Sequence, residues 1–271
     1  MSRTRSFWLH LPASIVHALR AAWQSLLCDW KPNHAIALVG ASYPDITLEE
    51  MVKLRAIDRF SMTEIERRYA LLKAVAHITK HRIEGAILEC GVWRGGSMML
   101  AASELIALGD TQREIYLCDT FEGMTPPSNH DCDWRGDSAD QLLTADAQSR
   151  DTSFMWCIAS LEDVQHNLTS TGYPTDRLRF IKGPVETTLP AQAPAKIALL
   201  RLDTDWYEST LHELNVLYDR VVPGGIVIID DYGHWQGARK AVDEFIASRP
   251  EPIFLHRVDL SARAFVKGAV S

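Results

Sequence analysis

The sequence predicts an α/β fold, a mostly parallel, doubly wound sheet of seven strands closed by an antiparallel hairpin and preceded by a helical N-terminal extension. Three observations carry that expectation. Short apolar runs recur from residue 85 onward, stretches of helical spacing lie between the first five of them, and no helix-length stretch separates the last two. Strands alternating with helices argue a parallel sheet covered on both faces, and a close final pair argues a hairpin at the sheet edge.

The elements follow in order. Residues 7–30, FWLHLPASIVHALRAAWQSLLCDW, are apolar, but His10, Pro12, His17, Arg20 and Gln24 interrupt the run and no small-residue cleavage site follows. A spanning helix or a signal peptide wants a cleaner core. An amphipathic helix packed on the protein or on a partner subunit is the reading, with a membrane-surface helix as its alternative. Residues 48–80 are helical in pattern, and Ser61 with Glu64 three residues later predicts a capping box. The strand candidates are then GAILECG, REIYLCDT, RLRFIKG, KIALLRLDTD, GGIVIIDDY, PIFLHRV and RAFVKG, with helical stretches SMMLAASELIALG, SLEDVQHNLTSTG and STLHELNVLYDRVV.

Composition narrows the function classes. The 271 residues are 46% hydrophobic and 23% charged, ordinary for a globular chain, and the net charge is −7 with no basic tract. Nothing there suits a phosphate backbone, so nucleic acid is not expected as a partner. Five cysteines, odd in number and without a C-x-x-C pair, read as reduced core thiols of a cytoplasmic protein.

In a doubly wound sheet, ligands bind beyond the carboxyl ends of the strands, so the residues closing each run carry the chemistry. The first run ends ECGVWRGGS, Glu89 to Ser97, and opens a helix. Its glycines allow a sharp turn and close approach to a ligand. The pattern is not G-x-G-x-x-G, because residue 93 is tryptophan. A sulfonium bearing an amino acid wants a carboxylate nearby, which Glu89 supplies. The second run ends at Asp119, where a carboxylate accepts hydrogen bonds from both hydroxyls of a ribose. The fourth ends with Asp203 and Asp205, and the fifth with Asp230 and Asp231. Four carboxylates on neighbouring strand ends call for a cation. Oxygen-only ligands suit Mg²⁺, Mn²⁺ or Ca²⁺, and the lack of an accompanying His or Cys disfavours zinc.

The segments ILECGVWRGGSMM, LCDTFEGMTPP, LLRLDTDWYEST and PGGIVIIDDYGHWQGARKAVDEF together resemble the macrocin O-methyltransferase (TylF-like) family, over about Phe60 to Phe245. The resemblance implies a Rossmann-like class I methyltransferase fold that uses S-adenosyl-L-methionine and Mg²⁺ (or Mn²⁺/Ca²⁺) to methylate deoxysugar hydroxyls in natural product biosynthesis. By the same match, Asp203, Asp230 and Asp231 hold the metal and Asp205 is the general base. Glu89, Gly91, Trp93 and Ser97 line the methionine end of the cofactor, Asp119 takes the ribose, and Met62 and Thr63 are cofactor contacts by analogy with related cation-dependent methyltransferases. One departure stands out. The family carries a GWF-type turn after the third strand, whereas this chain has Gly183-Pro184-Val185-Glu186. The expected division is a helical extension over 1–58, shaping the acceptor pocket or an oligomer contact, and a methyltransferase domain over 59–271.

The chemistry explains why metal and base go together. An alcohol near pKa 15.7 lies about 12 units above an aspartate, roughly 16 kcal/mol, so Asp205 alone is too weak a base. A cation that acidifies the hydroxyl narrows the gap, and one gripping two adjacent oxygens favours a vicinal diol, as on a sugar. The expected partner is therefore a small-molecule acceptor with vicinal hydroxyls, with no nucleic acid or membrane, and the N-terminal helix offers a surface for a homo-oligomer. Rival readings are a cation-dependent methyltransferase of phenols or catechols, a dinucleotide oxidoreductase, a metal-dependent hydrolase and a catalytically silent binding module. Several residues keep two readings. His234 and Trp235 gate the acceptor or pack a loop, Trp206 and Tyr207 stack on an acceptor ring or fill the core, and the polar segment with His130, Asp131 and Asp133 is a solvated loop or a mobile lid.

Overall fold

The structure, a computed structural model, describes residues 43–150 and 152–268. The helix expected over 7–30 lies outside the described residues. The chain divides into two compact units, 1–52 and 53–271. In the first, Thr47 and Glu50 form a reciprocal capping box, Thr47 N donating to Glu50 Oε2 at 2.9 Å and Glu50 N to Thr47 Oγ1 at 3.2 Å. It opens helix α1 (Leu48–Ala56), whose last four residues belong to the second unit.

The second unit continues with α2 (Ile65–Lys80), β1 (Ala86–Cys90), α3 (Gly96–Ala107), β2 (Ile115–Asp119), α4 (Ala139–Ala145), α5 (Leu161–Ser170) and β3 (Leu178–Lys182). There follow α6 (Val185–Thr188), β4 (Ile197–Leu202), α7 (Tyr207–Leu217), β5 (Val221–Ile229), α8 (Gln236–Ser248), β6 (His256–Arg257) and β7 (Arg263–Val266). The seven strands form one sheet in the order β3-β2-β1-β4-β5-β7-β6. The first five run parallel, and β7 enters antiparallel between β5 and β6. The order reverses at β1, which pairs with β2 on one side and β4 on the other. The loops after β1 and β4 thus diverge at a switch point, where such sheets bind ligands.

Burial explains the run texture. Every residue of β1 and β4 is buried, so both read as continuous apolar runs rather than alternating ones. One core packs Leu88, Leu200, Leu202, Val227 and Ile229 against Leu214 and Leu217 of α7 and Val242 and Phe245 of α8. Helix α2 packs against α3, β4 and β5.

The capping box expected at Ser61 does not form. Helix α2 starts at Ile65 with Glu64 as its N-cap, and no side chain caps it. The Ser61 hydroxyl instead accepts from Thr63 N at 3.2 Å and lies 2.8 Å from Thr63 Oγ1, pinning the strap ahead of the helix. Among the described residues Cys90, Cys118, Cys132 and Cys157 are free; Cys90 and Cys118 are buried in the core, as expected, whereas Cys132 and Cys157 are only partly buried.

Candidate active site

At the carboxyl ends of β1, β2, β4 and β5 lies a cavity of about 340 Å³. Met62, Thr63, Gly91, Trp93, Ser97, Asp119, Asp203, Asp205, Asp230 and Asp231 all line it. Of the site residues read from sequence, Glu89 is not among those lining the cavity.

The turn after β1 is shaped by protein neighbours. A Cβ on Gly91 (φ +75°) would stand 2.0 Å from the Asp203 carbonyl oxygen, so only glycine lets the ends of β1 and β4 come this close. A Cβ on Gly96 would stand 2.3 Å from Phe60 O, and Gly96 N donates to that oxygen at 3.0 Å. The strap Phe60–Thr63 therefore crosses the start of α3. Arg68, buried on α2, holds the strap through Nη2 to Ser61 O at 3.2 Å.

Asp119 braces the same turn. Its Oδ2 accepts from Val92 N at 2.7 Å and Trp93 N at 3.2 Å, and its Oδ1 accepts from Phe121 N at 2.7 Å. Burial raises its pKa against the opposing pull of these N–H groups. Trp93 is held in the left-handed region (φ 45°).

The β4 and β5 ends bring the acids together. Ligand oxygens of Asp203, Asp230 and Asp231 lie within 4.8 Å of one another. An all-carboxylate set at that spacing fits a hard divalent cation. Asp205 sits beside them in a left-handed conformation (φ 65°), uncommon for a non-glycine residue and typical of strained functional positions. Its backbone N donates to Asp231 Oδ2 at 3.1 Å, and its Oδ1 accepts from the Trp235 indole at 2.6 Å. Burial pushes Asp205 up to about 6, with the hydrogen bonds to Asp231 and Trp235 pulling the other way. Asp203 and Asp231 are also raised, first by burial and then by neighbouring carboxylates. Burial alone would raise Asp230 too, but Arg201 and then Arg67 outweigh it and hold it low.

Those two arginines were not singled out from sequence. Arg201 Nη1 donates to Glu89 Oε1 and to Asp203 Oδ2, both at 2.6 Å, and its Nη2 pairs with Asp230 Oδ1. It stands beneath the cavity with its side chain 3% exposed. Burial raises Glu89 to about 7 despite this partner, and Glu89 Oε2 is buried without a hydrogen bond. Arg67, from α2, pairs with Asp230 Oδ2 and has Nε 2.8 Å from Asp259 Oδ2. A charged residue inside the run IALLRL was a visible signal for Arg201. Arg67, in the polar stretch IERRY, had none.

The residues left with two readings divide. Trp206 and Trp235 pack edge to face with centroids 4.9 Å apart, and Trp206 Nε1 donates to Thr125 O at 2.9 Å. Tyr207 bonds Glu244 at 2.7 Å and does not line the cavity. The 128–138 segment is mixed: Asp131 and Asp133 are buried, whereas 134–137, Asp137 among them, are exposed to solvent. Asp131 is 1% exposed, accepting from Tyr207 N and Ser128 N, and Asp133 accepts from Arg135 N and Asp137 N. His234 lines the cavity, as do Gly183, Pro184, Val185 and Glu186 of the departing turn.

A parallel sheet reversed at β1, an antiparallel β7 inserted beside β5, and a cofactor-type turn facing a carboxylate cluster define a class I methyltransferase. The family model described as Macrocin-O-methyltransferase (TylF) matches residues 18–267. The chain is 33% identical over 223 residues to the 8-demethyl-8-(2,3-dimethoxy-α-L-rhamnosyl)-tetracenomycin-C 4'-O-methyltransferase of Streptomyces olivaceus, covering 82% of this chain and 76% of that one. It is 32% identical to the demethyldecarbamoylnovobiocin O-methyltransferase of Streptomyces niveus, covering 76% of each. Among solved structures, the O-methyltransferase NovP superposes with a TM-score of 0.68 at 28% identity, over 78% of this chain and 83% of that one. The chain belongs to the macrocin O-methyltransferase (TylF) family and is an O-methyltransferase. No helix among the described residues is long and apolar enough to cross a membrane.

Proposed function

We propose that the protein transfers the methyl group of S-adenosylmethionine to a hydroxyl of a sugar or glycosylated small molecule, assisted by a divalent cation. The observation that carries this reading is the meeting, in one cavity, of the Asp203–Asp230–Asp231 cluster with Asp205 and the turn after β1. The relatives' names add the acceptor class, a rhamnosyl group in the Streptomyces olivaceus enzyme.

S-adenosylmethionine supplies an electrophilic methyl group on a sulfonium. Gly91, Trp93 and Ser97, with Met62 and Thr63 of the strap, would seat its amino-acid end, and Asp119 its ribose. Glu89 acts from behind the turn, through Arg201, rather than by touching the ligand. Asp203, Asp230 and Asp231 would hold Mg²⁺, Mn²⁺ or Ca²⁺, which supplies Lewis acidity toward an acceptor hydroxyl.

Asp205 accepts the hydroxyl proton at its carboxylate. In the metal-free site burial raises its pKa to about 6, so it is ionised at neutral pH yet a stronger base than an ordinary aspartate, an advantage that a bound cation would reduce. The gap to an alcohol is still about 10 units, or roughly 13 kcal/mol, so the base needs the cation's help. Trp235 and the strained backbone aim the carboxylate, and such positioning lowers the barrier independently of acidity.

The test is methyl transfer from labelled S-adenosylmethionine to a panel of glycosides bearing vicinal hydroxyls, in Mg²⁺ and after chelation. Asp205→Asn should lose about 10²–10⁴-fold in turnover with S-adenosylhomocysteine affinity retained. Undiminished turnover of Asp205→Asn, or of the wild type after chelation, would end the assignment.

A further inference from the structure

Five carboxylates converge at the base of the cavity: Glu89, Asp203, Asp205, Asp230 and Asp231. Two guanidiniums answer them, and the two are placed differently. Arg201 is a foundation, with a 3% exposed side chain and bonds to Glu89, Asp203 and Asp230. Arg67 is 17% exposed, lines the cavity, and reaches Asp230 from the other side.

Arg67 also has a second anchor. Its Nε lies 2.8 Å from Asp259 Oδ2, on the turn between β6 and β7, a contact of opposite charges in which the N–H is not aimed at the oxygen and makes no hydrogen bond. A guanidinium that released Asp230 would therefore keep a carboxylate partner, avoiding the heavy penalty of an unpaired buried charge. Arg201 would also keep a partner in Glu89, but it does not line the cavity and is tied at once to two of the three candidate ligands, Asp203 and Asp230. Asp230 Oδ2, the oxygen that Arg67 holds, belongs to the same carboxylate that faces Asp203 and Asp231 in the candidate metal cluster. A divalent cation and a guanidinium on one carboxylate repel each other strongly in so buried a site.

We propose that Arg67 is a resident counter-cation of the metal site, holding Asp230 in the metal-free protein and handing it over to the incoming divalent ion while retaining Asp259. The proposal rests on the reading of Asp203, Asp230 and Asp231 as metal ligands. Its physical content is competition. In the absence of metal, Arg67 relieves the repulsion among the carboxylates and keeps the β4 and β5 ends together; when metal arrives, breaking the Arg67–Asp230 pair subtracts from the affinity. Arg67 lies one residue from Arg68, which holds the Phe60–Thr63 strap, so the exchange occurs on the helix that also fixes a wall of the cofactor cavity.

The experiment is calorimetric titration of Mn²⁺ into the full chain for wild type, Arg67→Met, Arg67→Lys and Asp203→Asn, with thermal melts in chelator and in Mn²⁺. Arg67→Met should bind Mn²⁺ about tenfold or more tightly than wild type, because the competitor is gone. Arg67→Lys, which keeps the charge but cannot bridge Asp230 and Asp259, should fall between. In chelator Arg67→Met should melt below wild type, and Mn²⁺ should recover more of its stability than it adds to wild type. Equal or weaker Mn²⁺ binding by Arg67→Met and Arg67→Lys, with Asp203→Asn still abolishing it, overturns the exchange while leaving the metal ligands in place. Binding to Asp203→Asn as tight as to wild type, or no binding to any of the four proteins, removes the metal reading and the exchange with it.

Discussion

The indole Nε1 of Trp235 donates to Asp205 Oδ1 across 2.6 Å, and the tryptophan is 4% exposed. A buried hydrogen bond to a carboxylate favours its charged form. Asp205 works as a base only when ionised, so activity should fall as pH drops through its pKa, which burial raises to about 6 without metal and a neighbouring cation draws lower. Trp235→Phe removes the donor and keeps most of the bulk. The acid limb of kcat/KM should then move to higher pH by about one unit, the equivalent of roughly 1.4 kcal/mol. The check is a pair of pH–rate profiles at saturating Mg²⁺; superimposable limbs would show that the indole does not tune Asp205.

Arg201 offers a test of burial against distance. Its Nη1 is 2.6 Å from Glu89, and Lys196 Nζ is 2.6 Å from Glu84, but the first pair is 3% and 1% exposed and the second 57% and 68%. Removing one member of a buried pair strands the other's charge, whereas solvent screens the surface pair. Arg201→Met should lower unfolding stability by about 3–5 kcal/mol, and Lys196→Ala by no more than roughly 0.5 kcal/mol. Urea unfolding of both variants decides it. Comparable losses would mean that the Arg201 cluster is solvated in solution.

Much of this architecture could be read before any coordinates, for a physical reason. Buried parallel strands must be apolar along their whole length, and acids that stop such runs are conspicuous, which made Asp119, Asp203, Asp205, Asp230 and Asp231 legible. The glycines read as a sharp turn open to a ligand, and Gly91 does line the cavity, but a second constraint on it was hidden. What Gly91 avoids is the Asp203 carbonyl, 112 positions away, a neighbour that no turn pattern reveals. Asp131 likewise looked solvated because its partner, the Tyr207 amide, lies 76 residues downstream. Arg67 was invisible for a related reason. Its partners Asp230 and Asp259 belong to the far end of the chain, and an arginine on an otherwise polar helix face carries no local mark.

Gly91→Ala separates the backbone constraint from the ligand-approach one. The added methyl would meet backbone rather than a flexible side chain, at a φ of +75° that alanine disfavours. Left-handed strain of about 1–3 kcal/mol and overpacking of a similar size should destabilise the protein by roughly 3 kcal/mol or more. The displaced β4 end should also weaken Mn²⁺ binding at Asp203. Calorimetry and urea unfolding read both effects. A stable Gly91→Ala protein that lost only cofactor affinity would mean that ligand approach alone demands the glycine.

Glu89 gives the stability a pH signature. Its folded pKa is raised to about 7 by burial, above the 4.5 of a free side chain. Below pH 4.5 both folded and unfolded chains carry the proton, and the favourable contribution is fully present. As pH rises toward 7 the unfolded chain releases its proton first, and the folded protein loses up to about 3 kcal/mol of stability from this one group. Glu89→Gln keeps an oxygen for Arg201 but cannot ionise. In chelator, unfolding free energies measured from pH 5 to 8 should therefore fall more steeply for wild type than for Glu89→Gln. Parallel slopes would mean that Arg201 keeps Glu89 ionised throughout, at an ordinary carboxylate pKa, despite its complete burial.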